Sequence, residues 1–128
     1  MHNEHKETDY LIVKLKKLFK KNLLFECQRI DDLEIDSFED FFVKKSNEYD
    51  IPLIGSNNIK FGDIDDFMAH DALLCVAQKT TINNGNRKTS NNQISFKSSE
   101  QMSQIFSDFP EIIDNNLNVA ISCSYFPT

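Results

Sequence analysis

The chain reads as an α/β protein built around a short parallel sheet. Two observations predict this. Short apolar runs at residues 23–28 and 51–55 sit between charged or turn-forming residues, as strands buried on both faces do. Around them, apolar residues recur at helical spacing over 8–21, 37–50 and 63–78, so the order is helix, strand, helix, strand, helix, the pattern of βα units. The 128 residues suffice for one domain.

Taken in order, residues 8–21 carry Leu11, Ile12, Leu15, Leu18 and Phe19 on one stripe, surrounded by Lys14, Lys16, Lys17, Lys20 and Lys21. A core-facing amphipathic helix is expected, its late lysines matched to the negative end of the helix dipole. A helix lying on a membrane surface is the alternative. Residues 23–28 form the first strand. Asp31, Asp32, Glu34 and Asp36 then read as a solvated acidic loop, without the glycine or ligand spacing of a calcium loop. Ser37 with Asp40 resembles a capping box that opens the second helix, with Phe38, Phe41, Phe42 and Tyr49 as its buried stripe. Pro52 marks the entry to the second strand. The third helix, 63–78, starts on Asp63 or Asp65 and is so apolar that deep burial is expected, with His70 as a hydrogen-bonded structural residue. Residues 79–95 are rich in asparagine and lack periodicity, which predicts a long loop or linker. Ser98 with Gln101, and Asp108 with Glu111 behind Pro110, look like capping boxes for two final helices.

Composition narrows the function classes. Fourteen basic against twenty acidic residues leave a net charge of −6, which opposes a dedicated nucleic-acid binder. No apolar run approaches a membrane span, and residues 1–7 lack the apolar stretch of a secretory signal, so a cytoplasmic location is expected. Cys27, Cys75 and Cys123, widely spaced among apolar neighbours, read as buried thiols. Lysine outnumbers arginine 12 to 2, and asparagine and isoleucine number 13 each, a bias toward residues with A/T-rich codons. No phosphate-binding glycine loop, dinucleotide fingerprint, nucleophile elbow or C-x-x-C occurs. In βα folds ligands gather beyond the carboxyl ends of the strands. The places to look for chemistry are therefore residues 28–32 and 56–60.

Three segments add a resemblance. They are IPLIGSNNIKF (51–61), FMAHDALLCVAQ (67–78) and FKSSEQMSQIFSDFPEIIDNNLNVAISC (96–123), with LLFECQR (23–29) ahead of them. In order, from Leu11 to Cys123, they resemble the last part of the N-terminal polymerase-and-histidinol-phosphatase (PHP) domain in the family of bacterial DNA polymerase III alpha subunits. The most specific pieces are AHDALLC (69–75), and Ser-x-Glu-x-Met, Phe-x-Asp-x-Pro-Glu and Asn-x-Leu within 96–123. The resemblance implies a partial PHP-type βα barrel with two short parallel strands, followed by a helical segment. It divides the chain into the last barrel units (1–78), an Asn-rich linker (79–97) and a helical pair leading toward the palm (98–128).

The resemblance also implies what is missing. Active members of the family place a histidine after the strand that ends here at Arg29, where this chain has Ile30. They place Asp-x-His after the next strand, where this chain has Asn58 and Lys60. Ile30, Asn58 and Lys60 are thus degenerate ligand positions; isoleucine offers no donor atom and protonated lysine no lone pair. The implied function is a fragment of the replicative polymerase subunit, a scaffold without catalytic residues of its own. The parent is a DNA-directed DNA polymerase, a nucleotidyltransferase that uses magnesium. For this chain no cofactor, no bound metal, no direct DNA contact and no membrane contact are expected. The implied partners are the rest of the alpha subunit and the proofreading exonuclease subunit. The alternatives are a non-functional gene remnant and a metal-dependent phosphoesterase.

Overall fold

The computed structural model describes the backbone of residues 2–30 and 33–124, and the side chains of 6–30 and 38–124. Helix α1 (His2–Phe19) passes through a 3-10 turn at Lys20–Asn22 into strand β1 (Phe25–Gln28), and helix α2 (Leu33–Tyr49) returns the chain to strand β2 (Leu53–Ser56). The strands pair in parallel, Phe25 beside Leu53 and Gln28 beside Ser56. A helix between parallel strands is the connection such pairing requires. A 3-10 turn at Ile64–Asp66 leads into α3 (Phe67–Ala77). An irregular stretch with a 3-10 turn at Asn92–Ile94 follows, then α4 (Ser99–Ile105) and α5 (Pro110–Ser122). Among the described residues the fold is mixed α/β, as expected, with five helices and one two-stranded parallel sheet.

The core gathers on one face of that sheet. Phe25, Cys27 and Leu53 meet Ile12 of α1, Ile51, and Phe106 and Ile112 from the α4–α5 corner. Among the described residues Phe106 and Ile112 are the most deeply buried side chains, at 0% and 1% exposure. They seat against Gly55, where an added β-carbon would lie 2.7 Å from Phe106 Cε2 and 2.9 Å from Ile112 Cγ2. Glycine at this strand position is what allows the approach. Helix α5 also closes the outer edge of β2. Asn115 Nδ2 donates to Leu53 O at 2.9 Å, Asn116 Nδ2 donates to Gly55 O at 2.8 Å, and Gly55 N donates to Asn116 Oδ1 at 3.0 Å. The Asn116 amide stands where the peptide group of a third strand would stand.

Several expectations are corrected. Helix α1 begins at His2, well before residue 8, and of its stripe only Ile12 is buried; Leu11, Leu15, Leu18 and Phe19 are between 41% and 71% exposed. Polar contacts set its rotation: Asp9 pairs with Lys45, and Lys16 Nζ donates to Tyr49 O. The expected acidic loop is helix where it is described. Asp31 and Asp32 lie outside the described residues, but the backbone of Glu34 and Asp36 lies in the first turn of α2. Ser37 and Asp40 are consequently interior to α2 and not its cap. Phe38 is exposed, while Phe41, Phe42 and Tyr49 are half-buried.

Helix α3 is not deeply buried. Asp71 and Cys75, one turn apart, are its only buried residues, while Met68, Leu73 and Val76 are open to solvent. An apolar composition on all sides did not specify which row would meet the rest of the chain. Cys123 is exposed, unlike Cys27 and Cys75. The Ser98–Gln101 capping box forms, and so does one between Asp63 and Asp66. The Asp108–Glu111 box does not: Phe109 holds the cap position of α5 without a side-chain bond. Asp108 is taken by Arg29 instead.

Candidate functional site at the carboxyl ends of the strands

Arg29 and Ile30 follow the end of β1, and Asn57, Asn58, Ile59 and Lys60 follow the end of β2. A peptide segment from the Asn-rich stretch lies across these ends. Asn91 Nδ2 donates to Ile30 O at 2.8 Å, Lys60 N donates to Ile94 O at 2.9 Å, and Asn57 Nδ2 donates to Ser95 O at 2.5 Å. Phe61 and Ser95 form an isolated parallel bridge, and Phe96 N donates to Phe61 O at 3.0 Å. The side chain of Ile30 is buried beneath this cover, whereas Asn58 and Lys60 are exposed. Asn57 is buried and its Oδ1 has no hydrogen-bond partner among the described residues. The strand ends therefore carry two buried side chains, Ile30 and Asn57, and an exposed amide and ammonium, Asn58 and Lys60. Among the described residues no group of three His, Cys, Asp or Glu side chains could hold a metal ion.

His70 does not join the strand ends as a free base. Its Nδ1 is 2.5 Å from Ser90 Oγ, and its ring lies 5.3 Å from that of Phe61, in keeping with the structural role expected of it. Asp63 and Asp65, the one Asp-x-Asp of the chain, are used locally: Asp65 N donates to Asp63 Oδ1 at 3.2 Å at the start of the turn before α3.

The dominant side chain at this end of the sheet is one that sequence reasoning passed over. Arg29 Nε and Nη2 donate to Glu39 of α2 at 2.9 and 2.5 Å. Nη1 and Nη2 donate to Asp108 at 2.6 and 2.8 Å, and Nη1 donates also to Ile105 O at 2.5 Å. All five N–H donors of the guanidinium are used. Its carbon lies 4.9 Å from the centre of the Phe106 ring, a cation–π distance. Glu39 and then Asp108 strengthen its hold on its proton, and Arg29 in turn holds the Asp108 carboxyl below its usual range. Arg29 thus ties β1, α2 and the α4–α5 corner together. The only local signal for it was that the chain has just two arginines among its fourteen basic residues. Arginine's fork is what a two-carboxylate contact demands.

The second arginine makes the other rigid contact. Arg87 donates to both Asp71 oxygens at 2.7 and 2.6 Å, and Ser90 N donates to Asp71 Oδ1 at 2.9 Å. The guanidinium and then the Ser90 amide draw the Asp71 pKa down to about 2. Gln78 adds a two-way amide contact to the Lys88 peptide, both bonds at 2.9 Å. The Asn-rich stretch is therefore pinned to α3 before it crosses the strand ends.

What this arrangement offers chemically is positioning: two arginine clamps, a covered pair of strand ends, and no convergent set of nucleophile, base or ligands among the described residues. No family model matches the chain. Individual proteins do. The chain is 32% identical over 124 residues to DNA polymerase III subunit alpha of Rickettsia bellii, covering 97% of this chain and 10% of that protein. It is 34% identical over 113 residues to the same subunit of Rickettsia conorii, covering 88% and 10%, and 29% identical over 125 residues to that of Borreliella burgdorferi, covering 97% and 11%. The chain spans about a tenth of the length of the curated relatives it matches. Nearly its whole length is similar to one segment of these DNA polymerase III alpha subunits, which is consistent with a fragment of that subunit.

Proposed function

We propose that this chain serves as a non-catalytic scaffold segment within a DNA polymerase III alpha-type replication assembly in the cytoplasm. The observation that carries the reading is the pairing of that family similarity with what stands at the strand ends. A PHP-type barrel would bind metal beyond its strands, and Ile30, Asn58 and Lys60 do not fit a metal. Isoleucine has no donor atom, the lysine ammonium has no free lone pair, and one amide oxygen beside a cation cannot offset the dehydration of zinc or manganese. The 91–96 segment laid over the strand ends supports the same reading.

Polymerization, with its magnesium, then belongs to other parts of the assembly. The partners proposed are the rest of an alpha subunit and the proofreading exonuclease subunit. The apolar residues left open on α1, α3 and α5, among them Leu18, Met68, Val76 and Ile121, support protein contact. The net charge of −6 argues against direct contact with DNA. No helix among the described residues is long and apolar enough to cross a membrane.

Primer extension and calorimetry test the proposal together. The purified chain should show background nucleotide incorporation with magnesium and no heat of binding with zinc or manganese at micromolar concentration. Incorporation that copurifies with the chain, or one tight equivalent of metal lost on Asn58→Ala, overturns it. Phosphoester hydrolysis by the chain would instead favour a metal-dependent phosphoesterase.

A further inference from the structure

We propose that the peptide joining Asn84 to Gly85 is a self-modifying site, where Asn84 converts to aspartate and isoaspartate, and that the conversion loosens the clamp between Arg87 and Asp71. The chain has thirteen asparagines, and only Asn84 is followed by glycine. An asparagine side chain is attacked by the nitrogen of the next peptide, and a side chain on that next residue obstructs the approach; glycine has none. Asn84 and Gly85 are both exposed, and an added β-carbon at Gly85 would have no atom within 4 Å. Gly85 does not take a positive φ either. Neither crowding nor backbone conformation calls for glycine at this position, and what it contributes is an unobstructed nitrogen.

The turn holds the reacting groups together. Asn86 N donates to Asn84 Oδ1 at 3.0 Å, an Asx turn, and the ring closed by this bond contains Gly85 N. The electrophilic Cγ and the attacking nitrogen are thus kept within one turn. On the other side of the amide, Nδ2 donates to Thr80 Oγ1 at 2.9 Å. Base removes the Gly85 N–H proton, the nitrogen bonds to Cγ, and the Cγ–Nδ2 bond breaks. Nδ2 leaves as ammonia after taking a proton from water, and a cyclic imide remains. Water then opens the imide. Breaking its bond from nitrogen to Cγ gives aspartate, and breaking the bond from nitrogen to the α-carbonyl carbon gives isoaspartate. In sum, one water enters and one ammonia leaves.

The consequence follows from what Asn84 holds. Arg87 N donates to Asn84 O at 3.4 Å and Arg87 Nε to Ile82 O at 3.1 Å, so this turn aims the guanidinium at Asp71. In isoaspartate the main chain runs through Cγ and is one methylene longer, while the old α-carbonyl becomes a free carboxylate. Arg87 then has a second carboxylate close by in sequence, on a turn that no longer aims it. Lys88 N donates to Gln78 Oε1 and Ser90 N to Asp71 Oδ1, so these two amides report the loosening.

The test ages the purified full chain at mildly alkaline pH and maps its peptides by mass spectrometry, with fragmentation that distinguishes aspartate from isoaspartate. Asn84 should convert at least tenfold faster than Asn83, Asn86 or Asn92, and the rate should fall at mildly acidic pH, where less base is available. Gly85→Ala should slow conversion at least tenfold. Anion exchange separates the converted chain, whose Lys88 and Ser90 amides should exchange with solvent at least tenfold faster, while those of β1 and β2 keep their rates. Conversion at Asn84 no faster than at Asn83, a comparison internal to the unaltered chain, overturns the site, and so does a Gly85→Ala chain that converts at the original rate. Unchanged exchange at Lys88 and Ser90 overturns the coupling to the clamp. The proposal stands apart from the polymerase reading, because neither readout involves nucleotide, metal or DNA.

Discussion

Arg29 and Arg87 make similar bidentate contacts in two regions that are built in opposite ways. Around Arg29 the contact lies over an apolar core: Phe25, Cys27, Leu53, Phe106 and Ile112 pack beneath it, and the guanidinium lies on Phe106. Around Arg87 there is almost no core. Helix α3 buries only Asp71 and Cys75, and the stretch beyond it is held by directed bonds from Asp71, Gln78 and His70. Burial of apolar area is non-directional and does not titrate, whereas ion pairs and amide contacts are sensitive to geometry, and ion pairs also to titration and screening. The same arginine chemistry therefore reinforces a region that has other support and serves as main support for one that does not.

Substitutions break this contrast in a definite order. The largest effect is expected from Phe106→Ala, which empties a fully buried site at the centre of the apolar region and should cost about 3–5 kcal/mol by urea unfolding. Next is Arg29→Ala, which strands Glu39 and Asp108 and frees the Ile105 carbonyl. A loss of about 2–3 kcal/mol is expected, and Arg29→Lys should recover little of it, because an ammonium cannot serve two carboxylates in one plane. Gly55→Ala sets a methyl group against Phe106 and Ile112, and should cost about 1–3 kcal/mol through forced displacement of those side chains. A smaller loss for Gly55→Ala than for a surface alanine would show that the α4–α5 corner yields easily.

The gentlest probe is acid. The Asp71 pKa is drawn down to about 2 in the folded chain from its ordinary value of 3.8. A lowered carboxyl contributes stability above its unfolded pKa and loses it as pH falls toward the folded value. Between pH 4 and pH 2 the Ser90 amide and its neighbours should lose hydrogen-exchange protection. Amides of β1 and β2 should hold longer. Asp108 is also held low by Arg29, so that clamp weakens in the same range, but the core beneath it remains. Asp71→Asn should abolish the acid dependence at Ser90 while leaving the sheet unchanged. Simultaneous opening of both regions would show that they form one cooperative unit.

Much of the fold was legible in local pattern. The runs 23–28 and 51–55 marked the strands to within two residues, and their parallel pairing followed from the helix between them. The Ser98–Gln101 cap was legible because both partners lie within one turn. The Asp108 cap failed for the complementary reason: its competitor, Arg29, lies 79 residues away. Glu34 and Asp36 looked like loop residues because carboxylates are polar, yet the backbone at both positions lies in the first turn of α2. At the candidate site, Ile30, Asn58 and Lys60 were identified by resemblance, but the segment 91–96 that lies across the strand ends carried no signal beyond its lack of periodicity.

Residue order alone was enough for the α/β class, the strand positions and the likeness to one segment of DNA polymerase III alpha subunits, since each rests on neighbours a few positions apart or on matched strings of residues. Which face of α1 and α3 would be buried, which carboxylates Arg29 would join, and which edge of the sheet α5 would cap were decided only in three dimensions. The physical reason is common to all three. An amphipathic stripe, a carboxylate or an asparagine states what kind of partner it needs but not which one, and the selection among equivalent partners falls to the packing of Phe106 and Ile112 against Gly55, which sets where α5 lies relative to the sheet.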